Sequence, residues 1–121
     1  MSSPTKRVVK KFFTLLFSGK LSKAEAALKR IQKRYKLEEN DGYYKALYGI
    51  YYAYISDDRD SFLFHLWRKY LNGENKKALK KMFKELLKEA YDPPSSFIQA
   101  WLDLIEMIDS LPTPHRLGKA H

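Results

Sequence analysis

The stretch DGYYKALYGIYYAYISDD, residues 41–58, decides how the rest of the chain is read. It holds six tyrosines in eighteen residues, with a single lysine between its acidic ends. Tyr43, Leu47, Ile50 and Tyr54 recur at helical spacing and form one apolar stripe. Tyr44, Tyr48, Tyr52 and Ile55 form a second, and between the two run the small residues Gly42, Ala46, Gly49, Ala53 and Ser56. A helix that is apolar nearly all round is expected to be buried. A lane of small side chains lets a neighbouring helix come close, with rings flanking it. The tyrosines therefore read chiefly as core and hairpin packing with hydroxyls reaching the rim, Tyr51 and Tyr52 being the ones expected to stay partly exposed. A platform for stacking bases is the weaker reading, because amphipathic spacing is the stronger signal.

Working outward, the sequence reads as six helices and no strands. Ser3 is the expected cap of the first, with Pro4 at its first position and Gly19 as its stop. The second starts at Ser22, where Glu25 three residues on completes a capping box. Asp41 caps the third, which runs to about Ser56; Asp57 or Asp58 caps a fourth that ends at Gly73. A fifth spans about Glu74 to Tyr91, and a sixth runs from about Pro94 to before Pro112. Connections of about two to five residues make antiparallel αα-hairpins of consecutive helices. The expected organisation is one all-α domain over residues 1–111 and an irregular basic tail over 112–121.

Two segments resemble the tetratricopeptide repeat. SGKLSKAEAALKRIQKRY is similar to the turn and second helix of such a repeat, with Gly19 at the turn, Ala24 at the small inter-helix position, and Leu28 and Ile31 following. YYKALYGIYYAYISDDRDSFLFHL is similar to a first helix, Tyr48-Gly49 and Tyr52 standing at the leucine-glycine and tyrosine positions and Ser61 at the alanine. The two stand about 37 residues apart where the family period is about 34, and Lys36 replaces the closing proline of the first. The resemblance implies a short α-solenoid or compact bundle whose grooves bind other macromolecules, a protein partner among them.

Charge is the other strong signal. The net charge is +9, but residues 1–36 alone carry eleven Lys/Arg against one acid, a net +10. On the first helix Lys6, Arg7, Lys10 and Lys11 lie away from Val8, Val9, Phe12, Leu15 and Leu16; on the second, Lys29, Arg30, Lys33, Arg34 and Lys36 gather in the last two turns. On the fifth, Lys77, Lys81, Lys84 and Lys88 repeat at helical spacing, and Arg116 and Lys119 add charge in the tail. A merely solvated helix usually alternates signs. Crowded like charges repel, and a phosphate backbone relieves that repulsion. The expected partner is RNA, ribosomal RNA above all, contacted by a ribosome-associated or other ribonucleoprotein subunit. No helix-turn-helix, zinc finger or basic zipper points to sequence-specific DNA. Lys6, Arg7, Lys10, Lys11, Lys29, Arg30, Lys33 and Arg34 are the central candidates for phosphate contact, with Lys77, Lys81, Lys84, Arg116 and Lys119 outside them.

Other chemistry is thinly represented. With no cysteine, disulfide scaffolds, thiolate metal sites and cysteine catalysis are excluded. No carboxylate pair, nucleophile elbow, phosphate loop or metal spacing is found, so neither an enzyme nor a cofactor is expected. The longest uncharged run, Ala46–Ser56, has eleven residues, against about 20 for a membrane span. A soluble cytoplasmic protein is expected, and the lack of Cys with abundant Lys and Tyr suits a thermophile. Val9, Phe12 and Phe13 resemble the aliphatic and paired aromatics of a sliding-clamp-binding box, although Lys6 stands where that box has glutamine; a DNA-clamp factor is the weaker alternative. Asp103, Glu106 and Asp109 share a side of the last helix and suit either a basic peptide or, more commonly, a lysine face of the same chain. His65 reads as a rim or core residue, with His115 and His121 in the tail.

Overall fold

A computed structural model describes residues 4–90 and 93–114. Six helices follow one another: α1 (Lys6–Phe17), α2 (Leu21–Arg34), α3 (Gly42–Ile55), α4 (Phe62–Leu71), α5 (Lys76–Ala90) and α6 (Ser95–Met107), the last running into a 3-10 turn at Ile108–Ser110. No strand occurs among the described residues.

Helix starts differ from the sequence reading in three places. Thr5 caps α1, its Oγ1 accepting from the Val8 N–H at 3.3 Å, so the helix begins after Pro4 instead of on it. Ser3 lies outside the described residues. Helix α2 begins at Leu21 with no side-chain cap, which places Ser22 inside the helix. Ser61, and neither Asp57 nor Asp58, caps α4 by accepting from the Phe64 N–H. Asp41 does cap α3, its Oδ1 accepting from the Tyr44 N–H at 3.0 Å.

The first four helices end alike. The residue after each C-cap is left-handed: Gly19 at φ 81°, Lys36 at 53°, Asp57 at 57° and Gly73 at 101°. The next N–H then reaches back to a carbonyl five residues earlier, as in Lys20 to Leu15, Leu37 to Gln32, Asp58 to Ala53 and Glu74 to Lys69. Each such turn satisfies two carbonyls that a helix end would otherwise leave unpaired. The links over residues 35–41 and 56–61 are longer than expected.

Packing makes these helices a bundle. Helix α3 lies against α2, α4 and above all α6, while α1 packs on α2 and α6, and α5 on α4 and α6. In a solenoid each unit touches only its neighbours; here the last helix returns to the first. Phe12, Phe13 and Phe17 of α1 enter a core shared with Tyr54, Phe64 and Trp67. Phe17 meets Trp67 edge-on at 5.2 Å and Tyr54 at 5.7 Å. Under α6, Trp101 packs edge-on against Phe62 at 5.3 Å and tilted against Phe83 at 5.7 Å.

A polar contact is buried in this core. Asp103 of α6, 5% exposed, accepts from the Tyr43 hydroxyl at 2.7 Å and from Gln99 Nε2 at 2.8 Å. Burial first, and then the adjoining carboxylate, hold the Tyr43 phenol far above its ordinary range. Nearby, a Cβ on Gly42 would collide with the Ser96 hydroxyl and stand 2.9 Å from Pro94 Cγ. Gly42 is thus a point of close approach between α3 and the start of α6. Gly49, on the same lane of small residues, is exposed with nothing within 4 Å of where its Cβ would be.

The two glycines should respond to alanine with opposite signs. Gly42→Ala is expected to lower stability by about 1–3 kcal/mol through overpacking. Gly49→Ala is expected to raise it by about 0.5–1 kcal/mol, because an exposed helical glycine gives up more backbone freedom on folding. Urea unfolding followed by circular dichroism measures both. Tyr43→Phe should cost about 1–3 kcal/mol near neutral pH, by leaving Asp103 short of a donor. A phenol raised in the folded state adds stability below its unfolded value of 10.0, which is lost as pH climbs past that value. The gap between wild type and Tyr43→Phe should therefore narrow by about 1.4 kcal/mol per pH unit above about pH 10.

Candidate nucleic-acid interface

Helix α1 turns Val9, Phe12, Phe13, Leu16 and Phe17 into the core, and α2 turns in Ala24, Ala27, Leu28 and Ile31. Their outer edges meet along an open groove of about 420 Å³. Its floor is Val8, Ala27 and Ile31, and its walls are Lys11, Arg30, Lys33 and Arg34. It continues past Val8, Lys11 and Arg34 into a second hollow of about 470 Å³, bounded by Thr5 and Arg7. The end of α2 is tied to the start of α1 by the Thr5 N–H, which donates to the Tyr35 hydroxyl at 3.4 Å and holds that phenol below its usual range. The Arg34 guanidinium lies 5.5 Å from the centre of the Tyr35 ring.

Every expected phosphate-contacting residue that is described proves exposed. Arg7, Lys11, Arg30, Lys33 and Arg34 come together on the two hollows. Lys6 and Lys10 sit elsewhere on α1, and Lys29 pairs with Glu25 at 3.8 Å. Lys77, Lys81 and Lys84 form a separate face on α5, which packs on α4 and α6. Arg116 and Lys119 lie outside the described residues, as do His115 and His121.

The acids of α6 and of the 3-10 turn after it determine whether this positive charge is answered within the chain. Asp103 is taken up by Tyr43 and Gln99. Lys80 donates to Glu106 at 2.8 Å, and Lys76 lies 3.7 Å from Glu106 and 3.1 Å from Asp109. The Lys80 bond chiefly lowers Glu106 below its ordinary range, and the Asp109 bond chiefly raises Lys76. The lysine row that meets α6 is thus 76 and 80, one step out of phase with the 77-81-84 row. Among the described residues, Lys29 with Glu25 is the one ion pair made by a cation of α1 or α2.

The second tyrosine stripe corrects the sequence reading. Tyr52 is 56% exposed, as expected, but Tyr48 is also 47% exposed and Tyr44 and Ile55 are half-buried, so no described helix covers this flank of α3. Tyr51, expected near the surface, is 9% exposed. Lys45 shares the open arc with Tyr48 and Tyr52, three and seven residues before them, and was missed as a candidate. Its signal was present: a lysine, Gly49 and Ser56 in register on an otherwise apolar helix mark the wet side.

The clamp-box residues serve another purpose. Val9, Phe12 and Phe13 are each 0% exposed and belong to the core, so in this fold they offer no edge to a clamp. His65 is half-buried, its ring 6.4 Å from that of Phe62. Among the described residues no group of three or more His, Asp or Glu could hold a metal ion, and no helix is long and apolar enough to cross a membrane. No protein-family model, curated protein or solved structure matches the chain.

Phe12→Ala combined with Phe13→Ala should abolish the folding transition in thermal circular dichroism, since each buried Phe→Ala costs about 3–5 kcal/mol against a typical total of about 5–15. A soluble, cooperative double variant would show that these rings are not core.

Proposed function

We propose that this chain is a non-enzymatic RNA-binding protein, a ribosome-associated subunit that contacts RNA phosphates through the cations of α1 and α2. What supports this most is that five of those cations, Arg7, Lys11, Arg30, Lys33 and Arg34, are exposed and gathered along one groove, with no acid paired to them among the described residues. The carboxylates of α6 are occupied with Tyr43, Lys76 and Lys80 and leave that charge in place. A structured RNA supplies closely spaced negative charge without demanding a shaped catalytic pocket. Arg7, Arg30 and Arg34 can each present a planar fork to phosphate oxygens, and Lys11 and Lys33 act as point charges between them. Such contacts position a protein without reading sequence. The outward lysines of α5 suit a second stretch of backbone, as a protein lodged between RNA segments would need.

Filter binding to structured RNA at low and raised salt tests the reading. Affinity should fall steeply with salt, and Arg30→Glu with Lys33→Glu should weaken binding at low salt and reduce the log–log salt slope by about 2. The native protein should also move with ribosomes on a gradient and be released by nuclease. No RNA association at low salt, or binding untouched by the charge reversals, sinks the proposal. A partner that stays bound after nuclease treatment, with no RNA binding, would make the protein an adaptor instead.

A further inference from the structure

We propose that the segment of a structured RNA taken by this protein is an unpaired one, its phosphates following the exposed cations of α2 while successive bases stack on Tyr48 and Tyr52 of α3. This rests on the RNA-binding reading and deepens it by naming the form of the nucleic acid.

Two neighbouring rings this open on a helical surface form an exposed aromatic patch, and such a patch calls for an account. The Tyr48 and Tyr52 centroids are 6.3 Å apart and their planes differ by 18°, so both can receive flat partners in one orientation. Tyr44 continues the row, its centroid 6.1 Å from that of Tyr48. Rows of aromatic faces beside a basic track are how single strands are held without sequence preference. Exposed Lys45 supplies a cation on the tyrosine flank itself.

The row also lies next to the basic helix. Helices α2 and α3 pack together, and the buried Tyr51 of α3 lies 6.3 Å from Tyr48 by ring centroids. Burial first, and then the Glu25 carboxylate of α2, raise the Tyr51 phenol, and Glu25 in turn pairs with Lys29. From Lys29, Lys33 follows one turn along the exposed side of α2. A strand crossing from α3 to α2 thus meets rings first and, beyond the Glu25–Lys29 pair, the exposed Lys33 next.

Competing occupants fit less well. A duplex presents phosphates and sugars but hides its base faces, leaving the rings without partners. A second copy of the chain would bring two α2 faces of the same sign together. A polymer with negative charge on one edge and flat apolar faces on the other matches both parts of the surface.

Fluorescence anisotropy with the full chain and a labelled, unstructured RNA of about 12 nucleotides tests this, against the same strand annealed to its complement. Wild type should bind the single strand more tightly than the duplex. Tyr48→Ser with Tyr52→Ser should weaken single-strand binding by about tenfold or more, leaving duplex binding and the salt slope unchanged, since no charge is removed. Tyr48→Leu with Tyr52→Leu, which keeps apolar bulk without a ring, should lose affinity similarly; an unchanged circular dichroism melt shows that both pairs fold. If the tyrosine variants bind the single strand as wild type does while Arg30→Glu with Lys33→Glu abolishes binding, stacking is overturned and the RNA reading survives. If wild type binds neither RNA at low salt, both fall. A preference for the duplex, tenfold tighter binding to the matched DNA strand, or a dimer in light scattering that the tyrosine variants break apart, each overturns the proposal.

Discussion

Asp103 lies in the seam between α3 and α6, accepting hydrogen bonds from Tyr43 and Gln99, and most of the arrangement around it depends on that contact. A carboxylate taken from water is costly unless its oxygens are engaged, and here each of the two has a donor. The pair is directional where the surrounding packing is not. It sets α6 against the face of α3 that carries Tyr43 and Leu47, and Gly42 allows the close approach beside it. With α6 so placed, the same helix can reach α1 on one side and α5 on the other.

That placement also divides the charge. Since Asp103 points inward and Glu106 and Asp109 meet Lys76 and Lys80, no acid of α6 pairs with the amino-terminal cations, although α1 and α6 pack together. The cations of α1 gain little from their own helix: its first turn contains no acid, and Lys6 and Arg7 stand at its positive end. Lys33 and Arg34, in the last turn of α2, sit at the favourable end. The amino-terminal half of the groove is thus the part with most repulsion to relieve, and it is where an anionic ligand would gain most. Screening at physiological ionic strength acts over about 8 Å, so neighbouring groove cations still feel one another.

The helices were legible in the sequence because their apolar periods are strong and their ends carry glycine, proline or a left-handed turn. The inward stripe of Tyr43, Leu47, Ile50 and Tyr54 followed from spacing alone, and each of the four is at most 2% exposed. The caps were less legible. Several Ser, Thr and Asp residues stand near the starts of α1 and α4, each worth about 1 kcal/mol as a cap, so pattern alone does not choose among them; the caps found are Thr5 and Ser61. The second tyrosine stripe was legible only in part, for a different reason: exposure was expected at Tyr52, where it is found, but not at Tyr48. Periodicity shows that a helix has two apolar flanks but not how many neighbours it will have, and α3 has α2, α4 and α6 against it with Tyr48 and Tyr52 left over. The basic faces could be read helix by helix. That the edges of α1 and α2 meet in one groove, and that α6 answers Lys76 and Lys80 but not the row one residue along, are facts of docking that no one-dimensional pattern contains.

The end of α2 shows the same preference for charge over local comfort. Gly19 and Gly73 take the left-handed position after α1 and α4, but Lys36 takes it after α2. A side chain there costs about 1 kcal/mol relative to glycine. The turn is kept because the Leu37 N–H reaches Gln32 and the Leu37 side chain, 6% exposed, is fastened into the core. Glycine would satisfy the backbone equally well and would remove a cation from the carboxyl end of a helix whose exposed side already bears Lys29 and Lys33. A lysine in that position serves neither packing nor an internal ion pair among the described residues. It adds to a positive surface that is left open to solvent, and that openness is intelligible if the charge is directed outward, toward a polyanion.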